Sequence, residues 1–200
     1  YAGADYDSLR KSARKEAEAK TPYQAYVAYL EEQDGTEARK YWDSQLEGYS
    51  NPAVILPEGK PETVNEQMRR YGITIREEIT KALKKIMTEQ ELTCSTICET
   101  AWGILLQKYN GTQDAVFDKV TSGRNVPIPG AQEIVGLFIN TVPARIQNED
   151  SERVSSLLKK VKEADVNAEQ YSTLNLADIK RRAGIENGQA GTLYAFENYY

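Results

Sequence analysis

The sequence contains no histidine, and this absence limits the chemistry that its 200 residues can perform by themselves. Histidine is the side chain whose ordinary pKa lies closest to neutral pH, so it is the general base that enzymes use most often. Neither a Ser-His-Asp triad nor a Cys-His pair can be assembled from this chain. If the chain belongs to an enzyme, we expect part of the active site to lie elsewhere.

Cysteine is scarce as well, since Cys94 and Cys98 are the only two in the chain. Two cysteines do not make the disulfide framework of a secreted domain, and without an imidazole partner they make a poor zinc site. They stand one helical turn apart, beside apolar residues. We therefore expect both to be reduced, structural side chains, and we predict no metal.

Long apolar runs and a positive net charge are also missing. The apolar runs are far shorter than the roughly 20 residues that cross a bilayer, and the start of the chain lacks the apolar run of a signal peptide. The net charge is −5, and the 25 basic residues are dispersed among 30 acidic ones. We expect a cytoplasmic protein that binds neither nucleic acid nor membrane.

Helical periodicity is the strongest pattern that is present. The aromatic stripe of Tyr23, Tyr26 and Tyr29 predicts a helix that packs on a neighbour. The apolar face of the helix predicted over residues 80–90 is typical of a helix that lies on a sheet. Apolar spacing predicts helices within residues 6–49, over 80–90, from Thr93 or Ser95 to Tyr109, and from about Ser151 with Val154 inward.

Shorter runs of apolar and β-branched residues predict strands between these helices. The predicted strands cover residues 71–75, 115–121, 135–146 and the end of the chain from Leu193. The proline-bracketed stretch 51–61 predicts a connector. Strands that alternate with long helices indicate an α/β fold, which we expect to be a two-layer, mixed β-sheet covered by helices.

Polar residues interrupt two of these strands, and they are our candidates for a functional site. The first group follows the strand over 115–121, and the second lies in the apolar run 135–146, where Pro143 indicates a strand end or an edge strand. The two groups are Ser122, Gly123 and Arg124, and Asn140, Thr141 and Arg145. From the residues alone a structural role is the more common one, with the Asn in a bend and the Arg paired to a carboxylate.

Several motifs resemble the condensation domains of non-ribosomal peptide synthetases, from the inter-lobe helix through most of the second lobe. That family's order and approximate spacing are matched by TAWGILLQKYNGTQDAVF, VTSGR and VGLFINTVPAR. Weaker matches are YQAYVAY, at residues 23–29, and LYAFENYY at the end of the chain. The resemblance implies an inter-lobe helical segment with its connector over residues 1–60, and a truncated C-terminal lobe over 61–200.

The resemblance also implies a fold and an activity. The fold is similar to chloramphenicol acetyltransferase, in which two lobes enclose a tunnel, and the reaction joins two thioesters through an amide bond. The substrates are carried on the phosphopantetheine of carrier proteins, so no cofactor of the lobe itself is expected. The implied partners are the N-terminal lobe, peptidyl carrier proteins and an adenylation domain.

Site residues follow from the same resemblance. It implies that the two polar groups line the tunnel, with Ser122 and Asn140 as hydrogen-bonding candidates toward the pantetheine arm or the reacting carbonyl. Arg124 and Arg145 would hold the loops. Asp118 departs from the family, whose members usually carry a small residue there, and this predicts a narrower channel or a carboxylate beside it.

The family's HHxxxDG motif is absent from this chain, so we expect no catalytic residue within it and no activity from the chain alone. Two alternatives remain open. The lobe is a docking module for carrier or neighbouring domains, or it belongs to a related epimerisation or cyclisation domain with the same fold. The amino acids joined, the donor stereochemistry, the product and the oligomeric state do not follow from these residues.

Overall fold

The computed structural model describes residues 5–49, 70–185 and 191–197. Seven helices lie in these ranges: α1 Tyr6–Ala19, α2 Gln24–Glu32, α3 Thr36–Gln45, α4 Glu77–Gln90, α5 Cys94–Asn110, α6 Val154–Gln170 and α7 Leu176–Arg182. The three strands there are β1 Asp114–Thr121, β2 Asn140–Gln147 and β3 Leu193–Tyr194. The predicted connector 51–61 and the predicted boundary between residues 60 and 61 lie outside the described residues.

The strands form a three-stranded mixed sheet in the order β2-β1-β3. β1 pairs antiparallel with β2 over its whole length, from Asp114 opposite Gln147 to Thr121 opposite Asn140, and parallel with β3. The prediction of a mixed sheet covered by helices is confirmed.

Pro143 lies in the middle of β2, opposite Asp118. The Asp118 amide donates to the Thr192 carbonyl at 2.9 Å, on the β3 side of β1. Because a strand residue directs its N–H and C=O to the same side, the Asp118–Pro143 pair is one without mutual hydrogen bonds. Pro143 therefore breaks no ladder bond, and its position is that of an edge strand, one of the two alternatives that the sequence predicted.

Helices contact both faces of the sheet. Successive residues of a strand point to opposite faces. Phe117 belongs to a buried cluster with Leu106 of α5 and Leu157 and Val161 of α6. Its neighbour Val116 instead joins a cluster with residues of α3 and α7. The helices are therefore not confined to one layer on one side of β1.

Local signals explain where α5 begins and ends. Thr93 is its N-cap, because the Thr93 hydroxyl accepts a hydrogen bond from the Thr96 amide at 3.1 Å. Gly111 closes the helix in the left-handed conformation, with φ of 60°. The prediction of a cap at Thr93 or Ser95 is thus confirmed at Thr93.

Three strand predictions were wrong in extent. Residues 135–139 are not part of β2, and Val135 and Leu137 are 89% and 71% exposed, whereas Phe138 is buried. Residues 71–75 form no strand, although Tyr71, Ile73 and Ile75 alternate. The strand predicted from Leu193 ends at Tyr194 in the described chain, and residues 198–200 lie outside it. Alternation is a weak signal where no neighbouring strand supplies hydrogen bonds.

Two helix faces also differ from the prediction. α4 has no buried side chain within the part of the chain that the structure describes, so its apolar face does not lie on the sheet as predicted. Val154, at the start of α6, is 61% exposed, whereas Leu157, Leu158 and Val161 are buried as expected. Helical periodicity identifies the face that is apolar, but not the surface that covers it.

Gly103 allows α5 to approach the sheet closely. A Cβ at this position would lie 2.2 Å from Cγ1 and 2.6 Å from Cβ of the buried Ile146. Because Ile146 is β-branched and belongs to the main cluster, it cannot turn aside without disturbing its neighbours.

We predict that Gly103→Ala lowers the free energy of unfolding by about 1–2 kcal/mol. Alanine gains about 1 kcal/mol of helix propensity over glycine, but a contact of 2.2 Å to a buried side chain lies in the upper part of the overpacking range, at about 2–3 kcal/mol, because it separates α5 from β2. Urea unfolding measures the difference. Gly72→Ala, at an open position, is the control and should change little; an unchanged or raised stability of Gly103→Ala would contradict the close packing.

Candidate functional site

Ser122, Gly123 and Arg124 meet Asn140 and Thr141 at one edge of the sheet, whereas Arg145 lies toward the other end of β2, opposite Val116. Thr121, the last residue of β1, pairs with Asn140, the first residue of β2. The loop from Ser122 to Arg124 therefore lies beside the segment that leads into β2. We call these two segments, residues 122–124 and 138–140, the rim. The SGR and FINT motifs therefore lie side by side at this edge.

Gly123 is the tightest point of the rim. It is buried, and its φ of 63° lies in the left-handed region that favours glycine. A Cβ here would lie 1.9 Å from the carbonyl oxygen of Phe138. Both the conformation and the contact exclude a side chain, so glycine is required to bring the two segments together.

Arg124 holds the long loop that joins the two halves of the rim. Its Nη1 donates to the carbonyls of Ala131 and Ile134 at 2.8 and 3.0 Å. Its guanidinium lies 4.4 Å from the centre of the Phe138 ring, within the range of a cation–π interaction. This geometry agrees with the role of loop anchor that the resemblance implied.

Helix α2 covers the outside of this loop. The Tyr23 hydroxyl donates to the Leu137 carbonyl at 2.5 Å, and a Cβ on Gly136 would lie 2.0 Å from the Tyr23 ring. Tyr26 is buried, with its ring centre 4.2 Å from that of Phe138. The aromatic stripe therefore packs on a neighbour, as the sequence predicted.

Asn140 is held by the chain itself. Its Nδ2 donates to the carbonyls of Ser172 and Leu174 at 2.6 and 3.2 Å, and its Oδ1 accepts from the Thr141 amide at 2.8 Å. The amide thus connects the start of β2 with the turn after α6. Thr141 takes part through its backbone and is half-buried.

Arg145 is an anchor as well. It forms a bidentate pair with Asp114, from Nε to Oδ1 at 2.9 Å and from Nη2 to Oδ2 at 2.6 Å. Its Nη1 donates to the carbonyls of Gln45 and Glu47, both at 2.9 Å, where α3 ends. The guanidinium joins β1, β2 and α3, and its five donors suit this arrangement.

Asp118 does not carry a free carboxylate. Its Oδ2 accepts from Lys180 Nζ of α7 at 2.7 Å, and both side chains are less than one-fifth exposed. The charge that distinguishes this position from the family pattern is therefore neutralised by a lysine of the same lobe.

A charged cluster that was not predicted lies behind the rim. Lys119 of β1 donates from Nζ to Oε2 of Glu99 in α5, and to Oδ1 of Asp165 in α6 at 2.5 Å. The Glu99 side chain is only 1% exposed. The three residues line a cavity of about 460 Å³ that also reaches Thr121 and Ser122. The sequence did contain a signal for this cluster: Glu99 stands on the inward face of the apolar helix α5, and Lys119 stands within the strand β1.

The pKa of the Glu99 carboxyl is raised to about 7. Burial is the largest cause of this rise, the Asp165 carboxylate adds to it, and the Lys119 ammonium opposes it. For Lys119, burial lowers the pKa, but the two carboxylates raise it by more, so the ammonium keeps its proton above its ordinary range. Two buried carboxylates thus share one ammonium, and the less solvated one takes up a proton near neutral pH.

Cys94 and Cys98 lie on α5, form no disulfide with each other, and are half-buried. Burial, together with the neighbouring Cys94, raises the pKa of the Cys98 thiol. A thiol with a raised pKa is a weak nucleophile at neutral pH. Within residues 5–49, 70–185 and 191–197, no group of three His, Cys, Asp or Glu side chains converges as metal ligands.

The model of the Condensation domain family matches residues 4–200. The chain belongs to this family. It is 32% identical over 198 residues to chondramide synthase of Chondromyces crocatus, and 33% identical over 196 residues to tyrocidine synthase 2 of Brevibacillus parabrevis. Each alignment covers 98% of the chain, but only 5% of the first synthase and 6% of the second.

Solved structures show the same fold. The first condensation domain of the CDA synthetase superposes with a TM-score of 0.68 at 16% identity, over 88% of this chain and 38% of that one. The EpoB cyclization-docking bidomain of Sorangium cellulosum superposes with a TM-score of 0.65 at 18% identity, over 81% and 34%. The predicted fold class, that of one lobe of a condensation domain, is thereby confirmed. No helix in the described part of the chain is long and apolar enough to cross a membrane.

We predict that Gly123→Ala destabilises the chain by about 3 kcal/mol or more, since a left-handed alanine costs about 1–2 kcal/mol and the clash with the Phe138 carbonyl adds to it. Gly184→Ala is a matched control, because Gly184 has φ of 71° but a Cβ added there would meet no atom within 4 Å. Thermal unfolding of both variants separates the cost of the left-handed conformation, which both share, from the cost of the clash, which only Gly123→Ala has. Equal losses would show that the rim is not closely packed.

Asn140→Ala should lower the free energy of unfolding by about 1–3 kcal/mol, because it leaves the carbonyls of Ser172 and Leu174 and the amide of Thr141 without this partner. Asn125→Ala, at an exposed position of the adjoining loop, is the control and should have no measurable effect. Urea denaturation of both variants tests this. Wild-type stability in Asn140→Ala would rule out the anchoring role.

Proposed function

We propose that the chain is the C-terminal lobe of a condensation domain and that, together with an N-terminal lobe, it forms amide bonds between thioesters bound to carrier proteins. The observation that carries this proposal is the family match over residues 4–200, in a chain that spans little more than a third of the solved condensation domain. The amine of one substrate attacks the thioester carbonyl of the other, and the thiol of the phosphopantetheine arm leaves.

The chain brings no histidine to this reaction, so the proton acceptor comes from the other lobe. What this lobe contributes is one wall of the tunnel. Ser122 is exposed at the rim, and its Oγ accepts only a long bond of 3.4 Å from the Arg124 amide. In the described part of the chain its O–H has no acceptor, so it is free to donate to a pantetheine amide or to the developing oxyanion.

The other candidate residues act as supports in this proposal. Asn140 and Thr141 hold the end of β2, Gly123 permits the close approach of the rim segments, and Arg124 anchors the loop. Arg145 holds α3 against the sheet. The Asp118 carboxylate is paired with Lys180, so its charge is not free to act on a substrate. Asp118 therefore affects substrate preference only through the space that its side chain takes up in the tunnel.

A non-catalytic docking lobe is the second candidate, and the absence of histidine favours it. Such a lobe would bind carrier proteins or an adenylation domain without chemistry. A cyclisation or epimerisation domain is a third candidate, since the fold is shared with the EpoB bidomain and does not distinguish these reactions. In each case we expect the protein in the cytoplasm, where the carrier proteins are loaded.

We predict that the chain alone yields no amide product above the uncatalysed background when both loaded carrier proteins are supplied. The same chain joined to an N-terminal lobe with an HHxxxDG motif should yield it, because the proton acceptor is then present. Mass spectrometry of the carrier-bound product measures both. Turnover by the chain alone would overturn the proposal, and failure of the two-lobed protein, with loading verified, would favour the docking role.

Ser122→Ala in the two-lobed protein tests the role of this lobe. We expect the condensation rate to fall by about tenfold, which corresponds to about 1.4 kcal/mol in the barrier, with an unchanged melting temperature. Ser156→Ala, at an exposed position of α6, is the control. A wild-type rate in Ser122→Ala would show that its hydroxyl does not act on the substrates.

A further inference from the structure

A largely buried charged cluster is formed by Glu99, Lys119 and Asp165. With both carboxyls ionised and the lysine protonated, its net charge is −1. Each residue comes from a different element: α5, β1 and α6. The Lys119 side chain is 18% exposed and the Asp165 side chain 27%, whereas that of Glu99 is almost completely buried. A single ammonium cannot neutralise two carboxylates, and an uncompensated charge at this depth is costly.

The groups that face the cluster from its surroundings supply no second cation. Tyr194 of β3 is close enough to interact with Glu99, and Tyr41 of α3 with Asp165, but burial raises the pKa of each phenol to about 12. Both phenols therefore stay neutral. Arg145 also borders the cavity, but its guanidinium is committed to Asp114. On α6, Lys162 also lines the cavity, but its ammonium lies 3.8 Å from a Glu91 carboxylate oxygen, and Glu169 adds a carboxylate and no cation.

We infer that Glu99, Lys119 and Asp165 form a proton-linked clamp, in which the folded chain holds a proton on Glu99 and the loss of that proton, as the pH rises through neutrality, loosens α6 from α5 and β1. With the proton present, each carboxyl has a partner and the charges balance. Without it, Glu99 and Asp165 repel each other across Lys119.

The clamp connects to the rim through the end of α6. Trp42 donates from Nε1 to the Tyr171 carbonyl at 3.0 Å, and Asn140 donates to the carbonyl of Ser172. Both carbonyls belong to the turn that follows α6. A displacement of α6 therefore moves the residues that hold the start of β2, and Trp42 lies beside the same cavity.

The sign of the pH dependence follows from linkage. The pKa of Glu99 is raised in the folded chain above its ordinary value of 4.5, so between about pH 4.5 and 7 the folded state holds a proton that the unfolded state releases. Stability is fully present below this range and is lost as the pH rises through it. Asp43, whose pKa is lowered by the Arg182 guanidinium, acts in the opposite direction, but below pH 5.

The absence of histidine makes this effect measurable. In most proteins histidines dominate the stability between pH 5 and 8, whereas here no side chain ordinarily titrates in that range. We expect the urea midpoint of the wild-type chain to fall by roughly 0.5–1 M between pH 5.5 and 8. Trp42 fluorescence should change over the same interval.

Glu99→Gln is the decisive variant, because glutamine has the shape of the protonated acid but does not titrate. Its urea midpoint should stay constant over this pH range and exceed that of the wild type at pH 8. Glu163→Gln, the same change at an exposed position of α6, should keep the wild-type pH dependence. A wild-type midpoint that is constant, or a Glu99→Gln midpoint that falls like the wild type, would overturn the clamp.

A measurement on the wild-type chain keeps the test independent of how the variants fold. Carbon-13 spectra of labelled glutamate carboxyls should contain one resonance that titrates near pH 7, while the others titrate near the ordinary pKa. If every folded-state glutamate titrates between about pH 4 and 5, the proton-linked clamp does not exist.

Discussion

The pairing of β1 with β2 is the constraint on which the rest of the structure depends. Its register places Thr121 opposite Asn140, and so brings the two halves of the rim together. It also directs Phe117 toward α5 and α6 and Val116 toward α3 and α7, so each face of one strand organises a cluster. A shift of one residue in β2 would turn every side chain of that strand to the wrong face.

Polar side chains reinforce this register. Arg145 ties both strands to the end of α3, Asn140 ties β2 to the turn after α6, and Lys119 joins β1 to α5 and α6. Each has its partners within the lobe, and so does Asp118. Ser122 differs, because it is exposed and its hydroxyl has no acceptor in the described chain, and for that reason it is our candidate for contact with substrate.

The sequence predicted the elements with a local cause and missed those that depend on distant partners. The cap at Thr93, α5, β1 and the packing of Tyr26 follow from spacing and short-range chemistry. Residues 71–75 alternate and residues 135–139 form an apolar run, and both patterns are typical of strands, but strand pairing depends on a neighbour that neither pattern specifies. The polar motifs at the ends of β1 and β2 stand out in the sequence. The partners of Asn140 and Arg145, and the cluster of Glu99, Lys119 and Asp165, do not, because they join residues far apart in the chain.

The most direct test of this account is the register itself, measured by nuclear Overhauser effects between α-protons across the two strands. Because the Asp118 amide points to β3, the pairs without mutual hydrogen bonds include Val116 with Arg145, Asp118 with Pro143, and Val120 with Thr141. These pairs bring the α-protons closest together, so we expect strong α-proton contacts in all three. Contacts displaced by one residue, such as Val120 with Val142, would contradict the register and with it the rim, the anchors and the clamp.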